Sequence, residues 1–201
     1  MTDTPQYQQE PAPAPEPVAP SVPARQHEHV SFGRWLAELV VMVALAFALA
    51  SGIRIFVVQP YVIPTGSMIP TIEIQDRVIA NKFIYRFTEP GRGDIVVLDD
   101  PTGMVPTLIK RVIATEGETI DLVNGEVVID GVVLDEPYTY GQPTTPMSLV
   151  MPYTVPADSV FLMGDYRTNS ADSRVFGAVP LTEIRGKAIA RFWPIDRIGV
   201  F

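Results

Sequence analysis

Hydrophobic positions take three textures along the chain. Residues 1–30 show no periodicity: Pro, Gln, Glu and Ala dominate, and seven prolines fall within the first 23 residues. Proline donates no backbone hydrogen bond, and so little apolar surface cannot offset the entropy of ordering, so a disordered, partly extended tail is predicted. A proline-rich ligand for a partner is a second reading of the same composition. From 35 to 58 the chain is almost wholly apolar, and 39–50 holds no polar residue at all. A helix here is apolar on every side, as membrane spans are. A span needs about 20 such residues. Glu38 and Trp35 fall near one end, at headgroup depth, and Arg54 near the other. A buried core helix and a cleaved export signal with a small-x-small site at Ala48-Leu49-Ala50 compete with this. The long leader before the apolar run favours an uncleaved signal anchor. Arg25 and Arg34 precede it, which places the N-terminus inside.

Beyond the span the period shortens to two. Segments 77–81, 94–98 and 108–114 are β-branched and bounded by Gly, Pro or Asp. Segments 119–123 and 126–129 flank Asn124-Gly125, a pair suited to the left-handed residues of a tight hairpin, and Asp130-Gly131 repeats the signal. Strands are also expected at 159–163 and 185–192, one helical turn at 180–184, and a proline-rich loop over 141–156. The fold class is mostly β, in a domain of roughly 140 residues.

Composition removes several chemistries. Net charge is −8, which argues against nucleic acid as a partner. Cysteine is absent, so no disulfide, thiol nucleophile or thiolate zinc site exists. The two histidines, His27 and His29, both lie in the tail. A Ser-His-Asp triad or a His-based metal site inside the β-domain is therefore excluded, and a hydrolase of this sequence must use Lys, Asp, Glu or Tyr as its base.

Three segments carry candidate chemistry. In Ile63-Pro64-Thr65-Gly66-Ser67-Met68-Ile69-Pro70-Thr71, two prolines stiffen the backbone around one serine and Gly66 permits close approach, as a nucleophile needs. In Leu108-Ile109-Lys110-Arg111-Val112-Ile113, strand alternation puts Lys110 on one face with Leu108 and Val112. Such a lysine either guards a strand edge or, withdrawn from water, loses its proton and acts as a base. The segment Gly164 to Arg174 is dense in polar groups behind an apolar strand. It is either a solvated loop or a clamp in which Ser170 and Asp172 orient a lysine.

Taken together these segments resemble the bacterial type I signal peptidases. The boxes appear in the family's order: Ser67-Met68-Ile69-Pro70-Thr71, Gly93-Asp94-Ile95-Val96-Val97, Lys110-Arg111-Val112-Ile113, and Gly164 through Arg174. The resemblance implies a catalytic β-domain with a small accessory β-region, about 115–158, behind one transmembrane helix. It divides the chain into a cytoplasmic tail (1–34), a signal anchor (35–58) and an extracytoplasmic domain (59–201). It implies Ser67 as nucleophile and Lys110 as base, with Thr65 and the Ser67 N–H binding the oxyanion. Ser170 and Asp172 match the residues that hold the lysine. Asp165 is expected to pair with Arg111, and Asp172 with Arg174. Tyr61, Ile63, Pro64, Met68, Leu108 and Ile109 match positions around shallow pockets for small side chains. The implied substrates are exported preproteins cut after Ala-x-Ala, at the surface of the plasma membrane's lipid bilayer. No metal, organic cofactor or oligomer is implied. Two positions depart from the pattern: Tyr166 stands where Asn is usual, and Thr65 where Ser is commoner. A Ser-Lys self-cleaving repressor domain and a tethered β-module that binds peptides without cutting them are the rival readings.

Overall fold

The apolar run near Trp35 forms one helix. The computed structural model describes residues 32–201, with backbone alone at 53–56. Most of the expected tail, 1–31, lies outside the described residues. Helix α1, Phe32–Phe56, has 25 residues and is roughly 37 Å long at about 1.5 Å per residue. Its Phe32–Gly52 stretch is, among the described residues, the one helix long and apolar enough to cross a membrane by length and composition. The helix ends at Phe56, and Val58 opens strand β1, Val58–Val62, instead of closing the span as expected. Pro60 explains the difference. The residue before a proline is driven out of the helical region, and the β-branched pair Val57-Val58 fits extended backbone. In β1 the proline lies on an outermost strand, where a missing N–H is tolerated.

Strands follow as β2 (Arg77–Asn81), β3 (Ile95–Asp99), β4 (Thr107–Thr115), β5 (Thr119–Val123), β6 (Glu126–Ile129), β7 (Val132–Val133), β8 (Tyr153–Thr154) and β9 (Ser159–Met163). A single helical turn, α2 (Ser173–Phe176), precedes β10 (Val179–Pro180), β11 (Ile184–Trp193) and β12 (Gly199–Val200). The larger sheet has eight strands in the order β1-β2-β11-β3-β4-β9-β10, with β12 on β11. The smaller has four, β7-β6-β5-β8. Its centre is the predicted hairpin: Asn124 and Asp130 take positive φ, 53° and 48°, at the two turns. The proline-rich stretch 141–156 hides the short strand β8, which pairs with only two residues of β5 and leaves no alternation to read.

The larger sheet is covered on both faces. Ile95 and Val97 of β3 join a core with Met68, Val78 and Ile109; Val96 and Leu98 join another with Val112, Val160 and Leu162. This is why β3 reads as a continuous apolar run. A third core, around Ile113, Ile120, Val127 and Phe161, lies between the two sheets. Strand β4 contributes to all three, so Lys110 at its middle is surrounded.

Candidate active site

Ser67 follows β1 in a loop tied down at several points. Ile63 N–H donates to the Asp76 carbonyl at 2.9 Å, and Gln75 N–H to the Ile63 carbonyl at 2.8 Å. Met68 and Ile72 are fully buried, and Ile72 N–H donates to the Met68 carbonyl at 2.9 Å. Buried Asp76 accepts from Glu73 N–H, Arg191 and Arg197. The residue after the serine is thus a plug in the core, and the serine has little freedom. Met68 sits inside that core and lines neither of the cavities described below.

Lys110 donates from Nζ to Ser67 Oγ at 2.7 Å. The lysine is 1% exposed and the serine 7%. Burial penalises the ammonium and pulls the Lys110 pKa down to about 8, against the opposing charges of Asp172, Asp100 and Asp165 and with some help from Arg174. With that pKa a fraction of the amine is neutral near physiological pH, and this form accepts a proton from the hydroxyl it already touches.

On β4, Thr107 to Arg111 pair with β3, but β9 pairs only with Arg111 to Thr115. The edge from Thr107 to Lys110 is therefore open for an added strand. Beside it lies a cavity of about 30 Å³ lined by Tyr61, Ile63, Pro64, Leu108, Ile109 and their neighbours. That volume fits a methyl-sized group. A second cavity of about 350 Å³ is lined by Ser67, Lys110, Asn169, Ala171 and Phe176, with Asp100, Thr102, Met104 and Val105 on another wall. Thr65 is exposed and borders both.

The segment from Gly164 to Arg174 is a clamp rather than a solvated loop. Asp165 is fully buried and accepts two bonds from Arg111, at 2.8 and 2.7 Å, and one from Thr71 Oγ1 at 2.5 Å. Asp172 caps α2 and accepts from Arg174 Nε and Nη2, both at 2.8 Å. Its other bond is from Gly164 N–H at 3.1 Å. The expected pairs Asp165–Arg111 and Asp172–Arg174 are thus both made. Of the two residues expected to hold the lysine, Asp172 acts on it through charge. Ser170 is buried, and its hydroxyl has no hydrogen-bond partner among the described residues. Tyr166 N–H donates to the Ser67 carbonyl at 3.0 Å and its carbonyl accepts from Asn169 N–H. Backbone makes both bonds, so the departure from Asn leaves them intact.

Several contributors were not foreseen. Glu136 pairs with Arg167, Thr71 with Asp165, and the loop after β3 faces the larger cavity. Asp100 was legible as turn chemistry, since its carboxylate accepts from Thr102, Met104 and Val105. No local pattern says which way that loop faces.

The sequence is similar to those of known proteins. Residues 36–193 match the family described as signal peptidase, peptidase S26. A signal peptidase I of Leptolyngbya laminosa is 42% identical over 171 residues, covering 82% of this chain and 83% of that one. A probable signal peptidase I-2 of Synechocystis is 40% identical over 172 residues, covering 83% and 77%. A solved signal peptidase I of Enterococcus faecalis is 32% identical, with a TM-score of 0.44, covering 50% of this chain and 97% of that one. The chain belongs to the S26 family of signal peptidases, serine hydrolases that remove signal peptides from preproteins.

Proposed function

We propose that Ser67 is the nucleophile and Lys110 the general base of this peptidase. The observation that carries the reading is the 2.7 Å hydrogen bond between them in a buried setting. Ser67 Oγ attacks the scissile carbonyl as neutral Lys110 takes its proton. The resulting ammonium gives that proton to the departing amine, leaving an acyl-enzyme on Ser67. Water, activated by Lys110, then hydrolyses the ester. The Ser67 N–H and the Thr65 hydroxyl receive the oxyanion, a donor of this kind contributing about 2.7–4 kcal/mol. The unpartnered Ser170 hydroxyl supports a role in accepting a bond from the ammonium once Lys110 is charged, beside the charge of Asp172.

The substrate lies extended along the open edge of β4. The methyl-sized cavity supports selection for small residues such as Ala before the cut, with Tyr61, Ile63, Pro64, Leu108 and Ile109 as its walls. Residues 58–201, from β1 onward, form the extracytoplasmic catalytic domain, and the helix that ends at Phe56 is the anchor in the lipid bilayer of the bacterial plasma membrane. Arg25 and Arg34 before the span support an N-terminus inside.

The test is the pH profile of kcat/KM on a precursor peptide with an Ala-x-Ala site. The base works only when neutral, and its pKa is about 8. Activity is therefore expected to fall about tenfold per pH unit below pH 8. A flat profile between pH 6 and roughly 8 overturns Lys110 as the base. Asp100→Asn removes one of the negative charges that favour the ammonium. Its acid limb is expected to move to lower pH, read in the same assay; a limb that stays or rises contradicts the charge assignment.

A further inference from the structure

Strand β7 is followed by the turn Pro137–Thr139, whose Tyr138 ring faces Arg111 and Arg167. Glu136 accepts from both terminal nitrogens of the buried Arg167, at 2.5 and 2.7 Å. Thr144 Oγ1 accepts a third bond from Arg167 at 2.6 Å, and Arg167 Nε donates to the Gly164 carbonyl at 3.1 Å. Tyr138 donates its hydroxyl to Glu136 at 2.8 Å. Its ring centre lies 4.0 Å from the guanidinium carbon of Arg111 and 5.9 Å from that of Arg167.

These two arginines lead to the two reacting groups. Arg111 follows Lys110 in β4 and grips Asp165 with two bonds. Gly164 and Tyr166 flank Asp165, and both pack on the Ser67 backbone: Tyr166 N–H holds the Ser67 carbonyl, and Gly164 leaves no room for a side chain there. A planar cation on an aromatic face is held in orientation as well as distance. We propose that the Glu136–Thr139 turn is a positioning element of the active site, in which Tyr138 and Glu136 set the approach of Ser67 to Lys110. This rests on the reading of Ser67 and Lys110 as the reacting pair.

Neither Tyr138 nor Glu136 lines the cavities at Ser67. Losing them therefore acts on the chemical step and leaves substrate binding alone. In the detergent-solubilised full chain, Tyr138→Leu keeps a smaller apolar side chain at this position and removes the π face. It is expected to lower kcat about 10- to 100-fold, the scale of a displacement near 1 Å, with KM held within about twofold. Tyr138→Phe keeps the face and is expected to stay within about threefold of the parent kcat. Glu136→Gln, close in shape and still able to accept from Tyr138 and Arg167, is the second variant where Tyr138→Leu fails to fold. It too is expected to lower kcat at constant KM.

Tyr138→Leu matching Tyr138→Phe overturns the proposal, because packing alone then suffices. A folded variant that loses only KM overturns it as well. Ser67→Ala in the same assay separates the two levels. Its inactivity beside an unimpaired Tyr138→Leu removes the positioning role alone, whereas normal turnover in Ser67→Ala removes the reacting pair itself.

Discussion

Lys110→Met is expected to abolish turnover and, at pH 7, to make the protein more stable. The first part follows from its bond to Ser67 Oγ, which in the described structure is the contact that can take the serine proton. The second follows from burial. Its folded pKa is about 8 against 10.5, so between those values the unfolded chain binds the proton more tightly. Stability therefore rises with pH across that window, and below about pH 8 the whole cost of burying an ammonium is present. The gap corresponds to a cost on the order of 3 kcal/mol. Methionine has similar length and no charge, so it removes this cost and loses only the bond to Ser67, about 1 kcal/mol. A net gain of about 2 kcal/mol in denaturant unfolding at pH 7 is expected, shrinking as the pH rises from about 8 to 10.5 and gone above that. Retained turnover means another base; a loss of stability at pH 7 means the amine is not held against its own desolvation. Ser67→Ala is expected to be as inactive, and the double variant no worse than either single one, because two groups that act as a unit fail together.

Much of this arrangement was legible because the chemistry is local. The strands at 77–81, 119–123, 126–129 and 159–163 have the bounds that period and turn residues predict. There one face of each strand is buried or a Gly turn marks its end. Reading failed where a strand is too short to alternate, as at Tyr153–Thr154, and where Val58 prolongs an apolar run although Pro60 has already ended the helix. The site divides in the same way. Lys110 could be placed on the Leu108 face from spacing, and Leu108 and Val112 do pack with one core. Its depletion of charge could not be read, because the carboxylates that act on it, Asp100, Asp165 and Asp172, come from the loop after β3 and the segment after β9. Met68 was expected at a pocket and instead fills the core, since its neighbour Ser67, not its own side chain, faces the cavity. Glu136 and Arg167 are 31 positions apart in different sheets' territory, and no sequence period joins them.

Gly164→Ala is expected to be the most damaging single methyl that can be added to this protein. Its φ lies outside the positive range where glycine alone is at ease, so the cost is steric. A Cβ there would lie 2.3 Å from Ser170 Oγ and 2.4 Å from the carbonyl oxygen of Ser67. The serine hydroxyl of residue 170 can swing aside; the Ser67 carbonyl belongs to backbone held by Tyr166 N–H and anchored by the buried Met68. Relief therefore requires the nucleophile's own main chain to shift by a substantial fraction of an ångström. A displacement of about 1 Å costs about 100-fold in rate, and overpacking a filled interior costs about 1–3 kcal/mol in stability. Turnover at least about 100-fold down, with moderate destabilisation, is the expected result. Gly66→Ala supplies the contrast one residue before the serine. The nearest atom to its added Cβ is Ile69 Cδ1 at 2.8 Å, the free end of a side chain that can rotate away. That variant is expected to keep turnover within about tenfold of the parent. If the two substitutions prove equally mild, Gly164 does not seat Ser67, and the Gly164 to Arg174 segment serves the fold without setting the position of the nucleophile.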